Sequence, residues 1–100
     1  MKIRKIIIVG KVKQPAYHAY LENDRTVCGK GRSSSEAIGD CILRHPKVFG
    51  KMEVTSVEYS GRFRVYLNSN RRIYGEGSSK KEALGTCVRY NFKFFHIIVD

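Results

Sequence analysis

Proline, acidic residues, long apolar runs and closely spaced cysteines are all scarce in this chain, and each shortage excludes a class of protein. Two prolines in 100 residues, with 42% hydrophobic and 28% charged residues and no low-complexity tract, exclude collagen-like and disordered chains. The longest apolar run, Ile6-Ile7-Ile8-Val9, is far short of the roughly 20 residues that a membrane helix needs. The basic start Met1-Lys2-Ile3-Arg4-Lys5 leads through that run to Gly10-Lys11, too short an apolar stretch for a secretory signal. The expectation is a soluble, cytoplasmic protein with no membrane partner. Cys28, Cys41 and Cys87 are odd in number and have no CxxC spacing, which argues against a disulfide framework. They also lack the short spacing that nucleates a zinc site with His18, His45 or His96, so reduced, buried thiols and no metal or cofactor are expected. Nucleophile-elbow, kinase and P-loop signatures are missing as well. Glu22 and Asp24 sit on a turn, and Asn68 and Asn70 replace them 46 residues later, so no repeated carboxylate pair suggests an enzyme.

The shortage of acids leaves a large basic excess. Nineteen Lys and Arg against nine Asp and Glu give a net charge of +10 and a pI near 9.8. Residues 1–50 carry +6 and residues 51–100 carry +4, so the excess is not a tail. On a small domain it favours polyanionic partners, nucleic acid first among them.

An internal repeat organises the chain. With a shift of 46 residues and no gap, residues 16–50 and 62–96 share 12 identities in 35 pairs. Tyr20-Leu21 falls on Tyr66-Leu67, Arg25 on Arg71, Gly29-x-Gly31 on Gly75-x-Gly77, and Ser33 on Ser79. Glu36-Ala37-x-Gly39-x-Cys41 falls on Glu82-Ala83-x-Gly85-x-Cys87. This is the signature of a duplication.

Each copy reads as three strands and a helix. Ile6–Lys13 and Met52–Tyr59 form the first strands. In the second, Tyr17, Ala19 and Leu21, or Phe63, Val65 and Leu67, alternate with outward residues. Asn23-Asp24 and Asn68-Ser69-Asn70 supply hairpin turns, and a third strand ends at Gly-x-Gly. Ser33-x-x-Glu36 and Ser79-x-x-Glu82 are capping boxes opening helices whose apolar faces are Ala37, Ile38, Cys41, Ile42 and Ala83, Leu84, Cys87, Val88. Gly39 and Gly85, mid-helix, suggest close approach to a strand or to the other helix. Pro46 ends the first helix, and with Phe92 in its place the second is expected to run on. His96-Ile97-Ile98-Val99 predicts a seventh strand. The expected fold is α+β, built of tandem duplicated βββα units with antiparallel sheets and helices packed on one face. Residues 1–50 make the first unit, and residues 51–100 the second plus a C-terminal strand.

Gly75-x-Gly-Ser-Ser-Lys-Lys-Glu-Ala83, following three strands and opening a helix, resembles the C-terminal half of the double-stranded-RNA-binding domain. Residues 34–92, as helix, three strands and helix, follow that family's whole order. Gly29–Leu43 resembles the HicB antitoxin family, which carries a partial version of the same fold. The resemblance implies phosphate contacts from Lys80 and Lys81. Leu84 stands where the RNA-binding family has a further lysine, Ser60-Gly61-Arg62 where it presents a histidine, and Ser34-Ser35 replace the lysine pair in the first copy.

Three surfaces are candidates for binding. Ser79, Lys80 and Lys81 combine helix N-terminal amides with two ammonium groups, a physically sound phosphate site; the plain alternative is a capped helix with solvated lysines. Arg62, Arg64, Tyr66, Arg72 and Tyr74 lie outward on the second copy's strands with Arg71 at their turn, and cations interleaved with aromatics suit single-stranded nucleic acid. The same residue types are also interface anchors, and because no RNP-like aromatic pair is evident the interface reading stands slightly ahead of base stacking for this face. Arg25, Lys30 and Arg32 form a smaller basic set in the first copy. The functional expectation is a non-enzymatic nucleic-acid-binding protein, RNA ahead of DNA, with low sequence specificity for RNA or a duplex backbone. The alternative is a protein-interaction module: an antitoxin-like partner, or a phage- or mobile-element-encoded (anti-CRISPR-like) inhibitor of a nucleic-acid enzyme. The oligomeric state stays open.

Overall fold

A computed structural model describes residues 4–10 and 17–99, and shows an α+β chain. Strands β1 (Arg4–Gly10), β2 (Tyr17–Leu21) and β3 (Asp24–Gly31) lead into helix α1 (Ser34–Arg44) and the short α2 (Pro46–Phe49). Strands β4 (Val54–Tyr59), β5 (Arg62–Leu67) and β6 (Asn70–Gly77) lead into α3 (Lys80–Tyr90) and α4 (Phe92–Phe95), and β7 (Ile97–Val99) closes the chain. The part of the first strand expected at 11–13, and Ala16, lie outside the described residues. No helix among the described residues is long and apolar enough to cross a membrane.

The strands form two sheets, ordered β3-β2-β1-β7 and β4-β5-β6. The first is mixed, whereas antiparallel sheets were expected, because β7 pairs with β1 in parallel, Arg4 opposite Ile97 and Ile6 opposite Val99. A parallel neighbour needs a long crossover, and here all of the chain from the end of β1 to the start of β7 supplies it. The expected seventh strand therefore completes the sheet of the first half.

The hairpins share one device. Asp24 Oδ1 accepts from the Thr26 amide at 3.1 Å, and Asn70 Oδ1 from the Arg72 amide at 3.0 Å, short turns typical of these side chains. Both ladders then shift register, between Tyr20 and Leu21 and between Tyr66 and Leu67, so β3 and β6 each carry a bulge.

The two long helices are stacked back to back between the sheets. Ala37 and Cys41 face Gly29 of β3, where a β-carbon would overlap the Cys41 amide; Ala83 and Cys87 face Gly75 of β6 in the same way. Gly39 and Gly85, about half a turn round their helices, face the partner helix instead. A β-carbon on Gly39 would overlap the Lys81 carbonyl, and one on Gly85 the Ser35 carbonyl. The close approach is thus to the other helix, antiparallel, and the layers run sheet, helix, helix, sheet. Residues 37–42 of α1 are consequently buried on all sides. The core joins Ile6, Leu21, Ile38 and Ile42 to Val65, Leu84, Val88 and Ile97, each worth roughly 1.5–3 kcal/mol of apolar burial.

Both helices stop at the same place. His45 caps α1 before Pro46, and Asn91 leaves helical geometry at φ −131°, ψ 41° after Tyr90. The second helix does not run on through Phe92, because the Asn91 side chain donates to the Cys87 carbonyl at 2.8 Å and closes the last turn.

Candidate nucleic-acid interface

Alternation along β5 puts Phe63, Val65 and Leu67 toward α3 and Arg62, Arg64 and Tyr66 outward. Pairing with the neighbours arranges that outer face in rows. One row reads Val57, Arg64, Glu76, the next Thr55, Tyr66, Tyr74, and Tyr59 stands beside Arg62. The Arg64 guanidinium lies 4.7 Å from the Tyr74 ring centre and 5.7 Å from that of Tyr59, so it sits between two aromatic faces. Its Nε and Nη2 donate to the Glu76 carboxylate at 3.0 and 2.8 Å, and the Tyr59 hydroxyl donates to the same oxygen. Those bonds, Tyr59 first and then Arg64, hold the Glu76 carboxyl below its ordinary range. The bulge in β6 brings Arg71 over the Tyr66 ring at 5.2 Å. Arg62, Arg71 and Arg72 are exposed, and Tyr59 and Tyr74 keep 42% and 45% of their surface in solvent. The face therefore offers partly exposed rings, each with a guanidinium against it, beside three exposed guanidinium groups and one already held by a carboxylate.

The α3 N-terminus is arranged differently from a phosphate cradle. Ser79 Oγ accepts from the Glu82 amide at 3.1 Å, as its capping role requires. Glu82 reaches one residue further back than a simple capping box, to the Ser78 amide at 2.8 Å. Its other oxygen accepts from Ser33 Oγ of α1 at 2.7 Å, and Glu36 accepts from Ser79 Oγ at 2.8 Å in return. The two helix starts thus cap one another, and two carboxylates occupy the ground where an anion would approach. Lys81 keeps 47% of its side chain in solvent, yet its Nζ stands 2.6 Å from Oδ1 of Asp40, whose side chain is 2% exposed. Lys80 stays exposed.

In the first copy Arg25 lies 5.1 Å from the Tyr20 ring centre, the counterpart of Arg71 over Tyr66. Lys30 and Arg32 are exposed, while their backbone amides donate to Asp40 and Glu36. Here His18 and Lys30 occupy the places of Arg64 and Glu76, so the stacked cluster is not reproduced. The structure thus unites Arg62, Arg64, Tyr66, Arg71, Arg72 and Tyr74 on one face and keeps Ser79, Lys80 and Lys81 on another element.

Sequence reasoning missed Tyr59, Glu76 and Asp40. Tyr59 and Glu76 follow from period-2 alternation once the registers are known. Asp40 carried no such signal, because at 100° per residue it falls beside the face of Ala37, Ile38, Cys41 and Ile42 and not on it. Tyr90, Phe92 and Phe94 are exposed at 74%, 45% and 53%, an apolar cluster that sequence reasoning did not single out as a surface. With Lys93, His96 and Ile98 they line shallow grooves beside α4, one of about 220 Å³. Cys41 and Cys87 are buried as expected, and burial pushes their thiols up to about 12 and about 11. No family model, curated protein or solved structure matches the chain.

Proposed function

We propose that this chain is a tandem duplication of one βββα unit, akin to the double-stranded-RNA-binding and HicB-like folds, that binds nucleic acid without catalysing a reaction. The binding surface is the outer face of the β4–β5–β6 sheet, and RNA is the preferred partner. The observation that carries the reading is the stack of Tyr59, Arg64 and Tyr74, with Arg71 on Tyr66 beside it. Exposed rings accept unpaired bases, and Arg62, Arg71 and Arg72 reach phosphates on either side. Duplex recognition through Ser79, Lys80 and Lys81 has less support, because internal partners hold two of the three.

Fluorescence anisotropy with nuclease-treated protein and a labelled single-stranded RNA, its DNA equivalent and an RNA duplex tests this. Single-stranded RNA binds tightest, and log affinity falls with log salt by about −0.7 per phosphate contacted, near −2 for three arginines. Arg71→Ala/Arg72→Ala weakens binding and lowers that slope by more than one unit. Flat salt dependence, or no binding at low salt, overturns the reading. A second reading, docking on a protein of a nucleic-acid-processing complex, draws support from the exposed Tyr90, Phe92 and Phe94.

A further inference from the structure

The exposed strand edges differ in how they are guarded. β3 and β6 each carry a bulge and cations, Arg25 and Lys30 in one, Arg71 and Arg72 in the other. β7 is only three residues long. These are devices that stop sheets from joining edge to edge. β4 has neither bulge nor cation, and its one guard is Glu58 on the inner face, opposite Phe63. Its sequence Val-Thr-Ser-Val-Glu-Tyr contains no proline, glycine or cation, and its ladder to β5 runs unbroken from Val54–Leu67 to Tyr59–Arg62. Thr55 to Tyr59 are all exposed. The corresponding edge of the first sheet, along β1, is covered by β7, whereas no described strand covers β4.

We propose that two copies of this chain pair through β4, antiparallel, with Val57 opposite Val57 of the second copy. Self-pairing fits the charge on this strand. In a chain of net charge +10 most surfaces repel a second copy, but β4 has Glu58 as its single charge. Pairing a strand with itself closes by a two-fold axis and leaves no growing end. Registers that shift by one residue would put each strand's outer residues on the inner face, so only alternate registers are allowed. With Val57 on the axis, Thr55 faces Tyr59 of the second copy on the outer face, and Glu58 faces Ser56 on the inner one. A shift by two toward Glu58 would instead set the carboxylates against each other. A shift by two the other way would centre Ser56 and set Tyr59 opposite Glu53, beyond the end of β4.

The consequence is a continuous six-stranded sheet. Arg64 lies opposite Val57 in the known register, so one row would read Arg64, Val57, then Val57 and Arg64 of the second copy. The two Arg64 clusters would stand three strand spacings apart, about 14 Å, on one surface.

Analytical ultracentrifugation of the nuclease-treated chain in the absence of nucleic acid tests the pairing independently of what the face binds. At about 100 μM, where a micromolar dissociation constant leaves most chains paired, the mass is twice 11.5 kDa. Val57→Lys, which sets two ammonium groups face to face, raises the dissociation constant at least tenfold while the melting temperature of the monomer is kept. Val57→Glu, which sets two carboxylates face to face and lies beside Arg64 in its own sheet, does the same and serves where Val57→Lys fails to fold. Phe94→Lys, in the exposed cluster by α4, leaves the dimer intact. A monomeric wild type at that concentration, or a dimer that survives both β4 substitutions, overturns the proposal. Loss of the dimer in Phe94→Lys but not in the β4 variants overturns it also and places the contact at α4.

Discussion

Lys81 Nζ lies 2.6 Å from Asp40 Oδ1, and these two residues belong to different helices, α3 and α1, in the two halves of the chain. Asp40 also accepts the Lys30 amide at 2.9 Å and pairs with Arg44 at 3.0 Å. Burial alone would push this carboxyl up, but the bonds from Lys81, the Lys30 amide and Arg44 together hold it below the ordinary 3.8. The 46-residue shift puts Thr86 in place of Asp40 and Ser35 in place of Lys81, so the tie exists once and not twice. It gives the pairing of α1 with α3 a polar component that only one arrangement of the halves satisfies.

Lys80 and Lys81 should therefore behave differently, although both are cations in a first helical turn, where the helix dipole disfavours them. Lys80→Ala leaves stability unchanged or raises it slightly. Lys81→Met removes the charge facing a buried carboxylate and destabilises by about 2 kcal/mol, less than a fully broken buried pair because Arg44 and the Lys30 amide remain. In a chain of this size that lowers the melting temperature by roughly 10 °C. Urea denaturation of the two variants checks the contrast, and equal behaviour would sink it.

The acid limb of stability follows from the same carboxylates. The carboxyls of Asp40 and Glu82 are both held below their ordinary values of 3.8 and 4.5, Glu82 chiefly through the Ser33 hydroxyl and then the Ser78 amide. A carboxyl depressed in the folded state contributes its stability above the unfolded value and loses it as pH falls through the folded one. Stability from these groups is thus constant from pH 5 upward and drops below about pH 4. Ser33→Ala brings the onset of acid unfolding to higher pH by releasing Glu82. A chemical denaturation series from pH 2 to 7 that showed the same onset in both proteins would contradict this.

At Gly85 a standard helix argument reverses. Replacing a mid-helix glycine by alanine should favour the helix by about 1 kcal/mol. Here the new methyl group meets the Ser35 carbonyl, a backbone atom that has no rotamer to move to. Gly85→Ala is expected to destabilise by roughly 2–4 kcal/mol, since the two helices must separate. Far-UV circular dichroism during thermal melting measures it, with Gly39→Ala as the matched variant against Lys81.

How much of this could be read from the chain depended on whether the partner was local. The Ser33 and Ser79 caps were legible because donor and acceptor lie three residues apart, and the helix faces because 3.6-residue periodicity repeats in both copies. The glycine positions showed that something came close without showing what. The return of β7 to β1, the exchange of Glu36 and Glu82 between helix starts and the Lys81–Asp40 pair join residues more than 40 positions apart, and no spacing rule links them. The sheet face was half legible: alternation picked out Arg62, Arg64, Tyr66, Arg72 and Tyr74, but only the register shows that Glu76 already holds Arg64. That last fact changes what the face can do.

Glu76 competes with any phosphate for Arg64. It holds two guanidinium nitrogens and the Tyr59 hydroxyl, and being charged it also repels an approaching polyanion. Glu76→Gln keeps the shape of the side chain and removes the charge, so Arg64 becomes free to contact phosphate while still stacked on Tyr74. Single-stranded RNA should then bind more tightly, by about threefold to tenfold at low salt, and the salt slope should steepen by about 0.7. Arg64→Ala in the same background removes the gain, because the released partner is gone. A duplex control separates this from a general charge effect, since a change of one unit in net charge raises affinity for every polyanion alike. If Glu76→Gln instead weakens single-stranded RNA binding and leaves the duplex unchanged, then the carboxylate orients Arg64 for stacking, and bases rather than phosphates are what that guanidinium meets.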